Sequence, residues 1–108
     1  MDRLVTRNKF ARPVADHTVM LDWKKRGFDC HTFIDPPGQK WNDFTHATDE
    51  VVTVIEGQLL ITMKNKCFLA DPGDEIFIPK NVSHSVANQS NGITRWLFGY
   101  NRPSCKSL

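Results

Sequence analysis

No run of apolar residues approaches the roughly 18 needed to cross a bilayer, so the sequence is not read as a membrane protein. Cysteine is scarce. Cys30, Cys67 and Cys105 form an odd set without CxxC spacing, which argues against a disulfide framework. Charge of one sign is not in excess. The formal net charge is +2 and the basic residues are scattered, so no nucleic-acid partner is indicated. The densest basic run, Lys24-Lys25-Arg26, reads as a solvated turn. The N-terminal stretch MDRLVTRNKFARPVADHT is charged and has no apolar core, so no signal peptide is read there. No GxSxG, P-loop or Rossmann fingerprint occurs. The expectation is a single-domain protein of a reducing compartment, the cytoplasm, with 108 residues available to bury a core.

What is present is a series of short β-type runs. Residues 1 to 28 are the least regular part, with Pro13, several charges and an apolar group at Val19, Met20, Leu21 and Trp23. One short strand or a helical turn is expected there, in an extension packed on the rest of the chain or on a partner subunit. From residue 29 to 108 the runs DCHTFI, KWNDFTH, VVTVI, QLLITM, CFLA, EIFI, SHSVAN and ITRWLFGY follow one another. Turn-forming clusters such as Asp35-Pro36-Pro37-Gly38 and Asp71-Pro72-Gly73-Asp74 separate several of them. Evenly punctuated strands of this kind predict an all-β sandwich or barrel. Alternation then assigns faces: Glu50, Val52 and Val54 share one, and Val51, Thr53 and Ile55 share the other. Both faces are largely apolar, so the second is expected to pack on another sheet, on the N-terminal segment or on a second subunit.

Two separated blocks carry the chemistry. In the first, Gly38 is followed by Phe44 after five residues, His46 after one, Glu50 after three and Gly57 after six. In the second, Gly73 is followed by Pro79 after five, Asn81 after one, His84 after two and Asn88 after three. These blocks resemble the two cupin motifs, G-x5-H-x-H-x3-4-E-x6-G and G-x5-P-x-G-x2-H-x3-N. The resemblance covers about residues 30 to 100 and implies a small single-domain cupin, a double-stranded β-helix or jelly-roll-like barrel. Two positions depart from the pattern. Asn81 replaces a turn glycine and tolerates the same left-handed backbone. Phe44 replaces the first metal-binding histidine and offers no donor atom.

By resemblance, His46, Glu50 and His84 are the remaining metal ligands. Two imidazoles and a carboxylate with open positions opposite form a competent site for Fe2+, Mn2+, Ni2+ or Zn2+. The reading is a metal-dependent cupin acting on a small molecule, with oxygenase or isomerase/lyase-type chemistry, the ion serving as Lewis acid or dioxygen-binding centre. A non-enzymatic ligand- or metal-binding module is the alternative, and a relic site kept for folding is a third. Phe44, Trp41 and Trp96 are candidate walls of a substrate pocket, with Phe98 and Tyr100 beside them. Tyr100, Asp43 and His31 are the nearest further acid-base groups, although His31 reads more naturally as a surface or edge histidine, and His17 as exposed. Asn88 reads as structural and Cys67 as an inert buried thiol. A homodimer is expected from the family and from the outward apolar residues Val51 and Ile55.

Overall fold

The computed structural model of the protein describes residues 4 to 101. The side chain of Asp43 and the whole of Cys105 lie outside the described residues. Ten elements follow one another. They are β1 (Val5–Thr6), α1 (Asp16–Lys25), β2 (His31–Asp35), β3 (Lys40–Phe44), β4 (Glu50–Glu56), β5 (Leu59–Met63), β6 (Lys66–Ala70), β7 (Glu75–Ile78), β8 (His84–Ala87) and β9 (Thr94–Tyr100). Each of the eight β-type runs from residue 29 onward is a strand. They form two antiparallel sheets, β1-β7-β4-β9-β2 and β3-β8-β5-β6, as the all-β reading expects. Among the described residues no helix is long and apolar enough to cross a membrane.

The sheets face each other across a core built by period-two alternation. Val52 and Val54 of β4, Leu59, Ile61 and Met63 of β5, and Ile76 and Ile78 of β7 meet there. Gly57 makes the sharp turn between β4 and β5 with φ +93, and a Cβ at that position would collide with the Thr94 hydroxyl. The glycine is therefore required twice, by its backbone angle and by the close approach of β9.

β4 is buried on both faces, from Glu50 through Ile55. Its outer face is covered by the chain's own helix. Val19 and Trp23 of α1 pack with Val51, Ile55 and Leu97. The outward residues on which a homodimer was expected, Val51 and Ile55, are 0% and 6% exposed within one chain, so they offer a second copy no surface.

α1 is held more by tertiary contacts than by its own termini. Its N-cap, Ala15, supplies no side-chain cap. Asp16 in the first turn instead receives both a 2.8 Å and a 2.9 Å bond from Arg95 of β9. At the other end the buried Glu75 accepts from the Trp23 indole at 2.8 Å and from both terminal nitrogens of Arg26 at 2.8 and 2.9 Å. Only Val19 and Trp23 of the apolar group face inward, while Met20 and Leu21 are exposed.

One expectation fails in the second sheet. Cys67 is exposed rather than buried. β6 is the edge of its sheet, and Cys67 stands on the solvent side beside Thr62, with its sulfur 3.6 Å from that hydroxyl.

Candidate functional site

Strand register brings the two motifs together. Glu50, the first residue of β4, lies opposite Tyr100 of β9 and Ile78 of β7. His84, the first residue of β8, lies opposite Phe44 of β3 and Met63 of β5. The two sheets thus present Glu50 and His84 to each other at one end of the core. His46 is carried by the link between β3 and β4, which backbone bonds hold at three points. The Asn81 amide donates to the His46 carbonyl at 2.7 Å, the Lys80 amide to the Asp49 carboxylate at 2.8 Å, and the Asn101 amide to the Asp49 carbonyl at 2.9 Å. Asn81 makes its bond from a left-handed conformation with φ 63. The asparagine therefore serves as the motif's turn residue, as the sequence implied.

His46, Glu50 and His84 each offer one donor atom, all within 4.8 Å of one another. Glu50 Oε1 stands 3.6 Å from His46 Nε2 and 3.4 Å from His84 Nε2. The histidine side chains differ in burial: His84 is 3% exposed and His46 is 31% exposed. On the far side of its ring, His84 Nδ1 donates to the Val82 carbonyl at 3.1 Å. That bond places the proton on Nδ1 and turns the Nε2 lone pair toward Glu50. Burial disfavours the His84 imidazolium. The adjacent Glu50 carboxylate, which favours the protonated ring, and the bond to the Val82 carbonyl outweigh it and raise the pKa above the ordinary 6.5.

These residues fit a divalent ion. Glu50 Oε1 is buried and has no hydrogen-bond partner, an arrangement that costs about 1 to 3 kcal/mol if nothing satisfies it. Donors that share one ion at about 2.1 Å each can lie no further apart than about 4.2 Å. The two separations from Glu50 fall inside that limit, and the two histidine nitrogens, within 4.8 Å of each other, need approach by no more than about 0.6 Å to share the ion.

A cavity of about 220 Å³ opens beside the triad. Phe44, Trp41 and Trp96 all line it, as do Phe98 and Tyr100. The Phe44 ring lies 6.2 Å from that of His46 and 6.3 Å from that of His84, so it occupies the mouth of the site without ligating. Tyr100 brings its hydroxyl to 3.4 Å from His46 Nε2. Burial first, then the charges of Glu50 and Asp29, push its phenol up to about 12, so it stays protonated near neutral pH.

The other candidates go elsewhere. His31 is exposed and pairs with Asp29 at 3.3 Å, His17 is exposed, and neither lines the cavity. Asn88 is structural: its side-chain nitrogen donates to the carbonyls of Asp35, Pro36 and Gly92, each at 3.0 Å. Sequence reading missed two residues of the cavity region. Phe33 lines the cavity. Asp35 is 1% exposed, and its Oδ2 accepts from the indoles of Trp41 and Trp96, both at 3.1 Å. The only signal for Asp35 was a turn motif, which suits an aspartate on local grounds alone.

The cupin domain model matches residues 31–100, and the chain belongs to that family. No curated protein matches it. Solved structures share its fold. A protein of Thermus thermophilus, TT1209, is 24% identical with a TM-score of 0.63, over 70% of this chain and 74% of that one. The cupin domain of an XRE family transcriptional regulator from Enterobacter cloacae is 21% identical with a TM-score of 0.65, over 74% and 86%. A predicted oxalate decarboxylase from Thermotoga maritima is 19% identical with a TM-score of 0.65, over 76% and 73%.

Proposed function

We propose that the protein is a metal-dependent small-molecule cupin in which His46, Glu50 and His84 hold one divalent ion. The observation that carries this reading is the buried Glu50 oxygen, unpartnered and aimed between two imidazole nitrogens. Bound there, such an ion supplies Lewis acidity or, as iron, a dioxygen-binding centre. The chain's own residues do the rest. The aromatic walls admit a compact, partly apolar molecule and exclude water. Tyr100 holds a proton at its hydroxyl and can donate a hydrogen bond to an oxygen of the ligand. Oxygenase and isomerase/lyase-type reactions are both compatible with this set. The relationship to a predicted oxalate decarboxylase is consistent with small-molecule chemistry.

A second reading, a binding module without turnover, is favoured by the scarcity of acid-base groups. Beyond His46 and Glu50, Tyr100 is the only titratable residue among the described residues that line the cavity. Recovery of a bound small molecule unchanged after incubation with metal-loaded protein would support it.

Thermal unfolding with and without divalent ions tests the metal. An ion at roughly a hundredfold its Kd adds about 2.7 kcal/mol, a rise of about 10 °C or more in a domain of this size. His84→Ala should abolish that rise, and elemental analysis of untagged protein should show the metal lost with it. Failure of every tested ion to raise Tm, with metal-free wild-type protein, would overturn the reading. The pH dependence has a defined sign. Protonated His84 cannot ligate, so the metal-induced rise should shrink as pH falls through its raised pKa. In metal-free protein the sign reverses. A raised histidine pKa contributes stability that is full below 6.5 and is lost as pH climbs through the folded-state value.

Phe44→His tests the missing ligand. Phe44 pairs with His84 across the strands and its ring lies beside both imidazoles, so an imidazole there can approach the ion. The expected result is a metal affinity at least about tenfold higher by competition titration. An unchanged affinity would show that the position cannot serve as a ligand.

A further inference from the structure

The aromatic chamber carries an observation that needs no metal. Its rings contact one another. Phe33 lies 5.2 Å from Trp41, 5.6 Å from Trp96 and 5.5 Å from Phe98, centroid to centroid. Behind the two tryptophans sits the buried Asp35 carboxylate, one oxygen of which receives both indole N–H groups. At the other end the chamber meets the Glu50 carboxylate, 4% exposed. Among the described residues no lysine or arginine lines it. Arg95, the neighbour of Trp96, reaches instead to Asp16 and Glu56.

Glu50 has His46 and His84 beside it, whereas the buried Asp35 carboxylate acts on the aromatic chamber with no lysine or arginine among the lining residues to balance it. That field repels an anionic group and leaves a neutral one only its burial. A cation gains attraction to the ring faces and to the Asp35 carboxylate behind them. An N–H bonded to a carboxylate also pushes electron density into the indole, which strengthens the pull of its face on a cation.

We propose that the chamber binds a small organic cation, a methylated ammonium head group, against Trp41, Trp96 and Phe33. Asp35 is its positioning residue: it orients both indoles and supplies the negative field. The cavity of about 220 Å³ is smaller than the roughly 300 Å³ at which drug-sized pockets begin, so the head group is compact. This inference names the ligand class of the chamber described above, but it does not depend on the metal, and its test uses chelator-treated protein.

The probes are choline and its neutral tert-butyl analogue, in which carbon replaces the nitrogen at nearly constant shape. Titration followed by NMR should show choline binding about tenfold tighter. The indole N–H signals of Trp41 and Trp96 should shift, and that of Trp23, which α1 buries on the opposite face of the sheet, should not. Asp35→Asn keeps an acceptor oxygen for both indoles and removes the charge. It should shrink the preference for choline several-fold and leave the affinity of the neutral analogue unchanged. Equal or tighter binding of the neutral analogue, or choline shifts confined to Trp23, would overturn the proposal. An Asp35→Asn protein with an undiminished preference would overturn the role of Asp35. A metal-free protein that selects choline while no ion raises its Tm would overturn the metal reading and support this one.

Discussion

Glu50→Gln should abolish metal uptake and, in the same protein, raise the stability of the metal-free form. The two effects have one origin. Glu50 Oε1 is buried without a partner, within 3.6 Å of two imidazole nitrogens. With an ion present, the anionic oxygen is the charge-bearing member of the donor set, and an amide is a far poorer ligand. Metal affinity should therefore fall by about a hundredfold or more. Without an ion, above the pKa of His84, the carboxylate faces a neutral His84 imidazole. The amide removes that buried charge and can donate N–H to an imidazole lone pair. The gain should be about 1 to 3 kcal/mol, read as a rise in Tm by calorimetry at alkaline pH with chelator. Below the His84 pKa the gain should vanish, because the imidazolium then satisfies the carboxylate. A metal-free Glu50→Gln protein less stable than wild type at alkaline pH would show that the carboxylate contributes to the fold, and the case for a metal from its unpartnered oxygen would fall.

Trp23→Ala should have the largest effect on stability. Trp23 is fully buried, packs with Val51, Ile55 and Leu97, and donates its indole N–H to Glu75. Removing a side chain of this size from a core costs about 3 to 5 kcal/mol. The loss also leaves α1 with Val19 as its only buried residue, so the helix should detach from the sheet. Detachment uncovers Val51 and Ile55, and the variant should self-associate beyond the wild-type mass at micromolar concentration. Denaturant unfolding combined with light scattering reads both effects. A loss under about 1 kcal/mol would mean that the helix is held by the Asp16–Arg95 and Arg26–Glu75 pairs rather than by its apolar contacts. Met20→Ser or Leu21→Ser, by contrast, should leave stability nearly unchanged, since both side chains are exposed.

The contrast between Trp23 and Met20 also shows where sequence reading reaches its limit. The strands from residue 29 onward were legible because most have their own local signal, a β-branched or aromatic run with Pro, Gly, Asp or Asn close behind it. The helix was not, because its inward face consists of two residues and its neighbours Met20 and Leu21 are apolar but exposed. Cys67 was misread for a related reason: apolar neighbours suggest burial, whereas an edge strand leaves one face in water. His46, Glu50 and His84 were found because the motif spacing encodes their convergence. Asp35 has no such spacing. Its partners Trp41 and Trp96 are 6 and 61 residues away, and only the folded sheets bring both indoles to one oxygen.

The pinned link between β3 and β4 constrains how this chain can drift. The carbonyl of His46 and both the carbonyl and carboxylate of Asp49 are tied to residues 81, 80 and 101. Between those ties the side chains of Ala47 and Thr48 make no bond that holds His46 in place. Their identity is therefore free to vary, whereas their number cannot fall. Substitutions at these two positions should pass with little consequence. Deleting a single residue there would carry His46 away from Glu50 and His84, although such changes are ordinarily well tolerated in loops.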